Sequence, residues 1–445
     1  MIVCKFGGTS LADIEQIKKV AAIVRGNPER KFIVVSAPGK RSSEDKKITD
    51  LLLIASNQDK KLEDRLEALR VFGSRFSDIV AGLDVPVDVP HFVSEIERMI
   101  EKMAYADAIV SRGEYLMAKI LAAHLDFPFV DAVSFVRFDE HGRYSETRTA
   151  LEAFNKIRFF DRAVIPGFYG ADGRGVIHTF PRGGSDLTGA IVAQFVEAKL
   201  YENWTDANGV YAVDPRIIAD APTIQRLSYK ELRELTYSGA TVFHEEAMFP
   251  VMKAGIPIHV RNTHEPENIG TLVSPSENVA DADDSHPVTG IAGRKDFLVL
   301  AIEKMQMNSE VGYVRRIASV LERHRISFEH MPSGIDSVSI IIEVAKIRTD
   351  GRKVGELVAH LVKDLQEDCN PDSIQTFENI ALVSTVGKAM RSTPGIAARL
   401  FGALARERIN VRLIIQGSSE ISIIIGVLNS DYEAAIRAIY KEFFS

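Results

Sequence analysis

Cysteine is almost missing from this chain. Cys4 and Cys369 are the only two among 445 residues, and their separation matches no metal-ligating or redox spacing. A disulfide framework and a thiolate metal site are therefore excluded, and a reducing compartment with both thiols free and buried is expected. Positive charge is also in deficit: 54 Lys and Arg against 61 Asp and Glu leave a net charge of −7. With no basic stripe interleaved with aromatics, a general nucleic-acid binder is excluded. No apolar run approaches the roughly 18 residues that a membrane span needs. The start, MIVCKFGG, has neither the basic n-region nor the apolar h-region of a secretory signal. These absences point to a cytoplasmic protein. The eleven histidines show no ligand spacing, so no metal site is expected, and His244 in TVFHEEAM reads as structural.

What is present is ordinary globular material, 46% apolar and 26% charged, in a chain long enough for two to three domains. The first part alternates strand and helix. IVCKFG, KFIVVSAP, FPFVDA, AVIPGFYG, GVIHTF and IPIHV read as strands; ADIEQIKKVAAIVR, EDRLEALRVFGSRF and EYLMAKILAAHL read as helices. That alternation predicts a layered α/β domain with a largely parallel sheet over residues 1–273. SPSENVADADDSHPVTG has no apolar period and marks a linker, placed at 274–293. Beyond it the pattern repeats. SEVGYVRRIASVLERHRISFEHM and STPGIAARLFGALARERINVRLII each give helix then strand, followed by DSVSIIIEV or EISIIIGVL and a further helix. Two ferredoxin-like βαββαβ units are predicted, over 294–380 and 381–445. The second lacks a closing strand, which residues 296–303 (DFLVLAIE) are expected to supply.

Four Gly- or Asp-rich turns stand at the ends of predicted strands: KFGGTS, VVSAPG, PRGGSDLTGA and TDANGVYAVDPR. Ligands of open α/β sheets bind beyond the carboxyl ends of the strands, so these turns plausibly line one crevice. KFGGTS alone reads equally as an anion-binding turn or as a tight turn with a solvated lysine. The third turn has the clearest mechanism. Gly183 and Gly184 free the backbone, Ser185 or Asp186 is placed as the N-cap, and a helix from about Leu187 to Lys199 aims its positive end at the crevice. Arg182 beside it offers a fork for a carboxylate or phosphate. PGKRS (38–42) lacks the upstream glycine of a P-loop, and GADGRG (170–175) reads as a hairpin turn.

In this order, KFGGTS, VVSAPG, ITDLL, the GE of SRGEYLMA, RGGSD, TDANGVYAVDPR and KAGIPIHVRNT resemble the aspartate kinases, a branch of the amino acid kinase family, and the C-terminal repeats look like that family's paired ACT domains. The resemblance covers essentially the whole chain. It implies transfer of the ATP γ-phosphoryl group, with Mg²⁺ carried by the nucleotide, to the β-carboxylate of L-aspartate. That is the first step towards lysine, threonine and methionine. It also implies roles. Lys5 meets the transferring phosphoryl group beside the Gly7–Gly8 backbone, and Asp186 orients it. Arg182 forks the aspartate α-carboxylate, Glu114 pairs with its α-ammonium, and Ser36, Thr49 and Ser185 supply hydroxyls. Thr205, Asp206, Tyr211, Arg216, Lys253 and Ala254 match nucleotide-binding positions. Pro181, Asn208 and HEEAMFP depart from the family pattern, and the last puts the wall of the nucleotide site in doubt.

The resemblance further implies an amino-acid effector, lysine first and threonine second, held by the ACT domains of a homodimer or tetramer. Met307, Ser309 and Val311 would form one wall; Ser333, Asp336, Ser337 and Ser339 would form the other. Two rivals remain: another amino acid kinase, acting on acetylglutamate, glutamate or UMP, and a non-catalytic amino-acid sensor with a degenerate kinase core. The length is expected to leave no room for a fused homoserine dehydrogenase.

Overall fold

The computed structural model describes residues 1–181, 183–240, 245–275, 287–347 and 353–444, with the side chains of 245 and 246 excepted. Most of the expected linker and His244 thus lie outside the described residues. The chain forms two compact units. One comprises Met1–Tyr211, Pro222–Thr236 and Thr241–Ala282; the other comprises Ala212–Ala221, Tyr237–Ala240 and Asp283–Ser445.

In the first unit the strands are β1 (Ile2–Phe6), β2 (Arg30–Val35), β3 (Ala163–Pro166), β4 (Tyr169–Ala171), β5 (Ile177–Thr179), β6 (Leu200–Thr205), β7 (Arg226–Ser228), β8 (Ile258–Asn262) and β9 (Thr271–Ser274). Seven of them make one sheet in the order β3-β2-β1-β6-β8-β9-β7, parallel from β3 to β8; β9 runs antiparallel to β8. All five residues of β1 are buried, as expected of a parallel strand covered on both faces. The helices are α1 (Ile14–Arg25), α2 (Ile48–Ser56), α3 (Leu62–Leu83), α4 (Val89–Glu101), α5 (Ala106–Val110), α6 (Arg112–Leu125), α7 (Glu146–Lys156), α8 (Gly184–Phe195), α9 (Tyr229–Tyr237) and α10 (Glu245–Lys253). Local chemistry sets their starts. Asp13 caps α1 by accepting the Gln16 N–H at 2.9 Å, and Ser228 with Glu231 forms a reciprocal capping box at α9.

Two expected features differ. FPFVDA is no strand: Phe129 makes one isolated bridge to Val164 and the chain then turns through a 3₁₀ segment at Ala132–Ser134, since Pro128 has no N–H to continue a ladder. Conversely LYENWT, which shows little apolar pattern, is the interior strand β6 beside β1. GADGRG does join the antiparallel pair β4 and β5.

The second unit is a five-stranded antiparallel sheet in the order β11-β10-β12-β14-β13, from β10 (Gly290–Glu303), β11 (Ser337–Glu343), β12 (Ser373–Val386), β13 (Leu413–Gln416) and β14 (Ser422–Leu428). Its helices are α11 (Tyr313–Arg323), α12 (Val354–Cys369), α13 (Ile396–Arg406) and α14 (Tyr432–Phe444). The first two helices pack over one half of the sheet and the last two over the other, giving two cores around Leu300, Ile317 and Leu361 and around Val383, Leu400 and Ile436. The strand expected to close the second repeat is placed differently. Phe297–Glu303 pairs with β11 and the first half of β12, inside the first repeat, and it is Gly290–Arg294 that lies against Leu382–Val386, the part of β12 that β14 flanks. A bulge between Arg294 and Phe297, with Asp296 at φ 67°, divides the shared strand. ISFEH forms only an isolated bridge, His330 to Ile341, and Ser333 just beyond it bridges Val338.

Candidate active site

The strand order reverses direction at β1, whose neighbours β2 and β6 continue to opposite sides. Such a switch point opens a crevice beyond the carboxyl ends of the strands. Lys5 sits there on β1, opposite Val34 and Asn203, and is only 8% exposed. A buried ammonium needs a counter-charge. It has one: Nζ lies 2.5 Å from Asp186 Oδ1, an ion pair rather than an aligned hydrogen bond, since that oxygen lacks a hydrogen-bond partner. The Tyr201 hydroxyl fixes the same turn from below by donating to the Asp186 carbonyl at 3.0 Å.

Asp186 stands in the first turn of α8, and the helix begins earlier than expected. Its N-cap is Gly183, left-handed at φ 78°, with no side-chain cap; Ser185 and Asp186 are therefore inside the helix, not caps. A left-handed residue is open to glycine at little cost, and starting the helix there turns the Asp186 carboxylate towards Lys5 instead of back onto its own amides. The helix ends at Phe195. Ser185 is buried beside Asp186, and the helix N-terminus adds positive potential at the same place. Arg182 lies outside the described residues.

The turn after β1 packs backbone to backbone against the turn after β2. The Gly39 N–H donates to the Gly8 carbonyl at 2.7 Å, and the Gly7 N–H to Trp204 O at 3.0 Å. A Cβ on Gly39 would lie 2.7 Å from the Gly8 carbonyl carbon, and one on Gly8 2.9 Å from Ala37 O. These glycines supply room, and the Gly7 amide is already committed within the protein. Ser36 is bound through its N–H to Phe6 O, and half-buried Thr49 opens α2 on the far side of the 37–47 loop.

Glu114, in the first turn of α6, completes this wall. It is 4% exposed, and its Oε2 has no hydrogen-bond partner. Burial pushes its carboxyl up to about 8, against hydrogen bonds from the Ala37 and Glu114 amides and the charge of Arg112. A buried carboxyl so perturbed marks a functional-site candidate.

The residues expected on the nucleotide side are less tightly gathered. Thr205 ends β6, and its hydroxyl meets Asp206 Oδ1 at 3.2 Å. Tyr211 makes an isolated bridge to Thr223. Lys253, at the end of α10, pairs with Glu146 of α7 at 2.7 Å; it stands on the rim of a cavity of about 560 Å³ walled by Phe138, Tyr144, Phe180 and Phe249. Ala254 follows it, exposed. Arg216 belongs to the second unit, where Asp214 holds its guanidinium at 2.6 Å. Asn203 was not expected. It is 2% exposed, on the Lys5 face of β6, and its Oδ1 has no partner; the polar pair Glu-Asn inside a strand that runs into the TDANG turn was the signal.

In the second unit the two expected effector walls meet. Asp336 Oδ1 accepts the Gln306 N–H at 2.8 Å, Asp336 O accepts the Lys304 N–H at 2.8 Å, and Asn308 donates to Ile335 O. Met307 is buried, the Ser309 hydroxyl is turned inward to Gln306 O, and Val311 is 95% exposed. Ser333 bridges Val338, while Ser337 and Ser339 sit on β11 opposite Glu303 and Ala301.

The amino acid kinase family model matches residues 1–262, and an ACT domain model matches 383–443. Aspartokinase 3 of Bacillus subtilis is 36% identical over the whole of this chain and 99% of its own. Among solved structures, the aspartate kinase of Clostridium acetobutylicum, an allosteric enzyme, superposes with a TM-score of 0.89 at 46% identity, all of both chains covered. E. coli aspartokinase III in complex with aspartate and ADP gives 0.81 at 25%, again over both full chains. With a lysine and an aspartate paired at the switch point of such a sheet and ACT repeats following it in the sequence, the chain belongs to the amino acid kinase family, in its aspartate kinase branch.

Proposed function

We propose that Lys5, Asp186, Glu114, Ser36, Thr49 and Ser185 carry the established reaction, phosphoryl transfer from ATP to the β-carboxylate of L-aspartate. The observation that carries this reading is the buried Lys5–Asp186 pair at the carboxyl end of β1. Phosphoryl transfer asks the protein mainly for positioning and charge neutralisation. Lys5 offers its charge to the oxygens of the transferring phosphoryl group, where charge develops, and Asp186 keeps the ammonium aimed there. The first-turn amides of α8 add to that field. Glu114, once ionised, takes the α-ammonium of aspartate; the hydroxyls of Ser36, Thr49 and Ser185 hydrogen-bond its carboxylates, and Arg182 forks one of them. Thr205, Asp206, Tyr211, Arg216, Lys253 and Ala254 are assigned to ATP by resemblance. Asn203, with a buried free carbonyl oxygen, is added to the site. Mg²⁺ bound to the phosphates would supply charge neutralisation, and the acidic Asp186 beside a cationic Lys5 suits a phosphate–metal pair.

With ATP as substrate we place the enzyme in the cytoplasm; among the described residues no helix is long and apolar enough to cross a membrane. The Met307–Val311 and Ser333–Ser339 segments are assigned to an amino-acid effector, lysine, in a homodimer or tetramer. Exposed Met305, Val311 and Ile335 around that turn support a second copy packing there.

Lys5→Ala is expected to lower kcat by about 10³-fold or more with KM values changed only several-fold, because its charge matters most in the transition state. Coupled ADP release with aspartate measures it, with glutamate, acetylglutamate and UMP as competing acceptors. An unchanged kcat would refute the assignment.

A further inference from the structure

An arginine is buried where the amphipathic pattern calls for an apolar residue. The inward face of α3 carries Ala68, Leu69, Phe72, Phe76, Ile79 and Leu83, and Arg75 lies among them at 3% exposure. Burying a guanidinium is costly unless its donors are met. Here they are met almost entirely by main-chain carbonyls. Nη2 donates to Gly39 O at 2.7 Å and to Ala12 O at 3.3 Å; Nη1 donates to Lys46 O at 2.7 Å. Those acceptors come from two separate stretches of chain. Ala12 follows the Lys5–Gly8 turn. Gly39 and Lys46 bracket the irregular loop whose flanks carry Ser36 and Thr49. One planar fork thus ties the turn that faces phosphate to the loop that faces the acceptor, and Gly39 is also the residue whose N–H binds Gly8 O.

An outer contact fixes the fork in turn. Asp45 Oδ2 lies 3.5 Å from Arg75 Nη1, accepts the Arg41 N–H at 3.0 Å and pairs with Arg41 Nε at 2.9 Å. The loop has no regular secondary structure between Val35 and Ile48, so these bonds replace a ladder in holding it.

We propose that Arg75 is a positioning residue for phosphoryl transfer: it sets the distance between the Lys5–Gly8 turn and the Ser36–Thr49 loop, and so between the phosphoryl group and the aspartate carboxylate. The inference rests on the acceptor reading of Ser36 and Thr49. Misplacing one reactant by about an ångström costs on the order of 10²-fold in rate. Lysine cannot replace the fork, having one point of attachment for three carbonyls.

The test is steady-state kinetics of the full chain carrying Arg75→Met, Arg75→Lys, Asp45→Asn or Thr49→Ala. In Arg75→Met the aspartate KM is expected to rise about tenfold and kcat to fall about 10- to 100-fold, with the ATP KM within about threefold. Guanidinium ion at about 10 mM, far below denaturing levels, should restore part of kcat saturably, which repair of a packing defect would not do. Arg75→Lys should retain the defect. Asp45→Asn keeps all three carbonyl bonds, so it folds, and should raise the aspartate KM about two- to fivefold. Unchanged kinetics in Arg75→Met, or losses that guanidinium does not relieve, overturn the proposal; should Arg75→Met not fold, an unchanged aspartate KM in Asp45→Asn overturns it. Failure of the acceptor reading looks different: Thr49→Ala would leave the aspartate KM at the wild-type value.

Discussion

Glu114 makes the sharpest prediction, because its carboxyl is neutral in the free enzyme at pH 7 and ionised in the unfolded chain. Its ordinary value of 4.5 is pushed up to about 8 by burial. Between those two values the native state holds a proton that the unfolded state has released, so stability falls as pH rises through this window and levels off above it. Glu114→Gln removes the titration while keeping a neutral group of the same shape. The variant should therefore be more stable than wild type by about 1 kcal/mol at pH 5 and by about 4 kcal/mol at pH 8, with a ceiling near 5 kcal/mol. Trp204 is the only tryptophan and is fully buried in the same unit, so its fluorescence can follow urea unfolding of that unit at pH 5 to 9. Aspartate should act in the same currency: its ammonium draws Glu114 into the ionised form, so binding below pH 8 releases a proton, visible in calorimetry as a heat that depends on the buffer. A gap between wild type and variant that does not change with pH would refute the reasoning, as would aspartate binding with no proton release.

Two other expectations are simpler. Gly39→Ala places a methyl 2.7 Å from the Gly8 carbonyl carbon, backbone against backbone, so the two turns must part; kcat should fall about 10²-fold while circular dichroism stays native. A kcat within twofold of wild type would show that the turns tolerate separation. Asp336→Ala frees the Gln306 amide at the effector turn and should raise the lysine concentration for half-inhibition about tenfold, measured against the same variant's uninhibited rate; an unchanged inhibition curve refutes the effector assignment.

The legible parts of the fold were those where a strand is buried on both faces. IVCKF and KFIVV announce themselves as apolar runs, and the repeat after the linker shows in the matching helix–strand pairs. β6 was illegible because Glu202 and Asn203 break its apolar run. Glu202 is buried only because Arg30 meets it at 2.8 Å, Trp204 Nε1 donates to it at 2.9 Å and the Cys4 thiol at 3.3 Å. Those partners come from three strands, and no local pattern reports a charge neutralised at long range. The shared β10 was misplaced for a related reason. Nothing local says that one strand of 14 residues serves two repeats, because only the register with β12 decides it.

The site divides along the same line. Lys5 lies near the end of a strand and Asp186 and Glu114 stand in the first turns of helices, beside turns whose residue types suit anions and cations, and Lys5 lies at a switch point that the topology dictates. What spacing could not show is who holds whom. Asp186 was readable as a cap, and only the left-handed Gly183 one turn earlier sends its carboxylate to Lys5 instead. Lys253 was readable as a phosphate ligand, yet Glu146, more than a hundred residues away in sequence, holds it at 2.7 Å. An exposed pair of that kind is worth at most about 1 kcal/mol. A phosphate oxygen would displace Glu146 at little cost, so the pairing with Glu146 does not argue against the nucleotide role proposed for Lys253. Arg75 is the opposite case: its three carbonyl bonds are buried, no ligand competes for them, and its burial is itself the signal that it holds the loops in place.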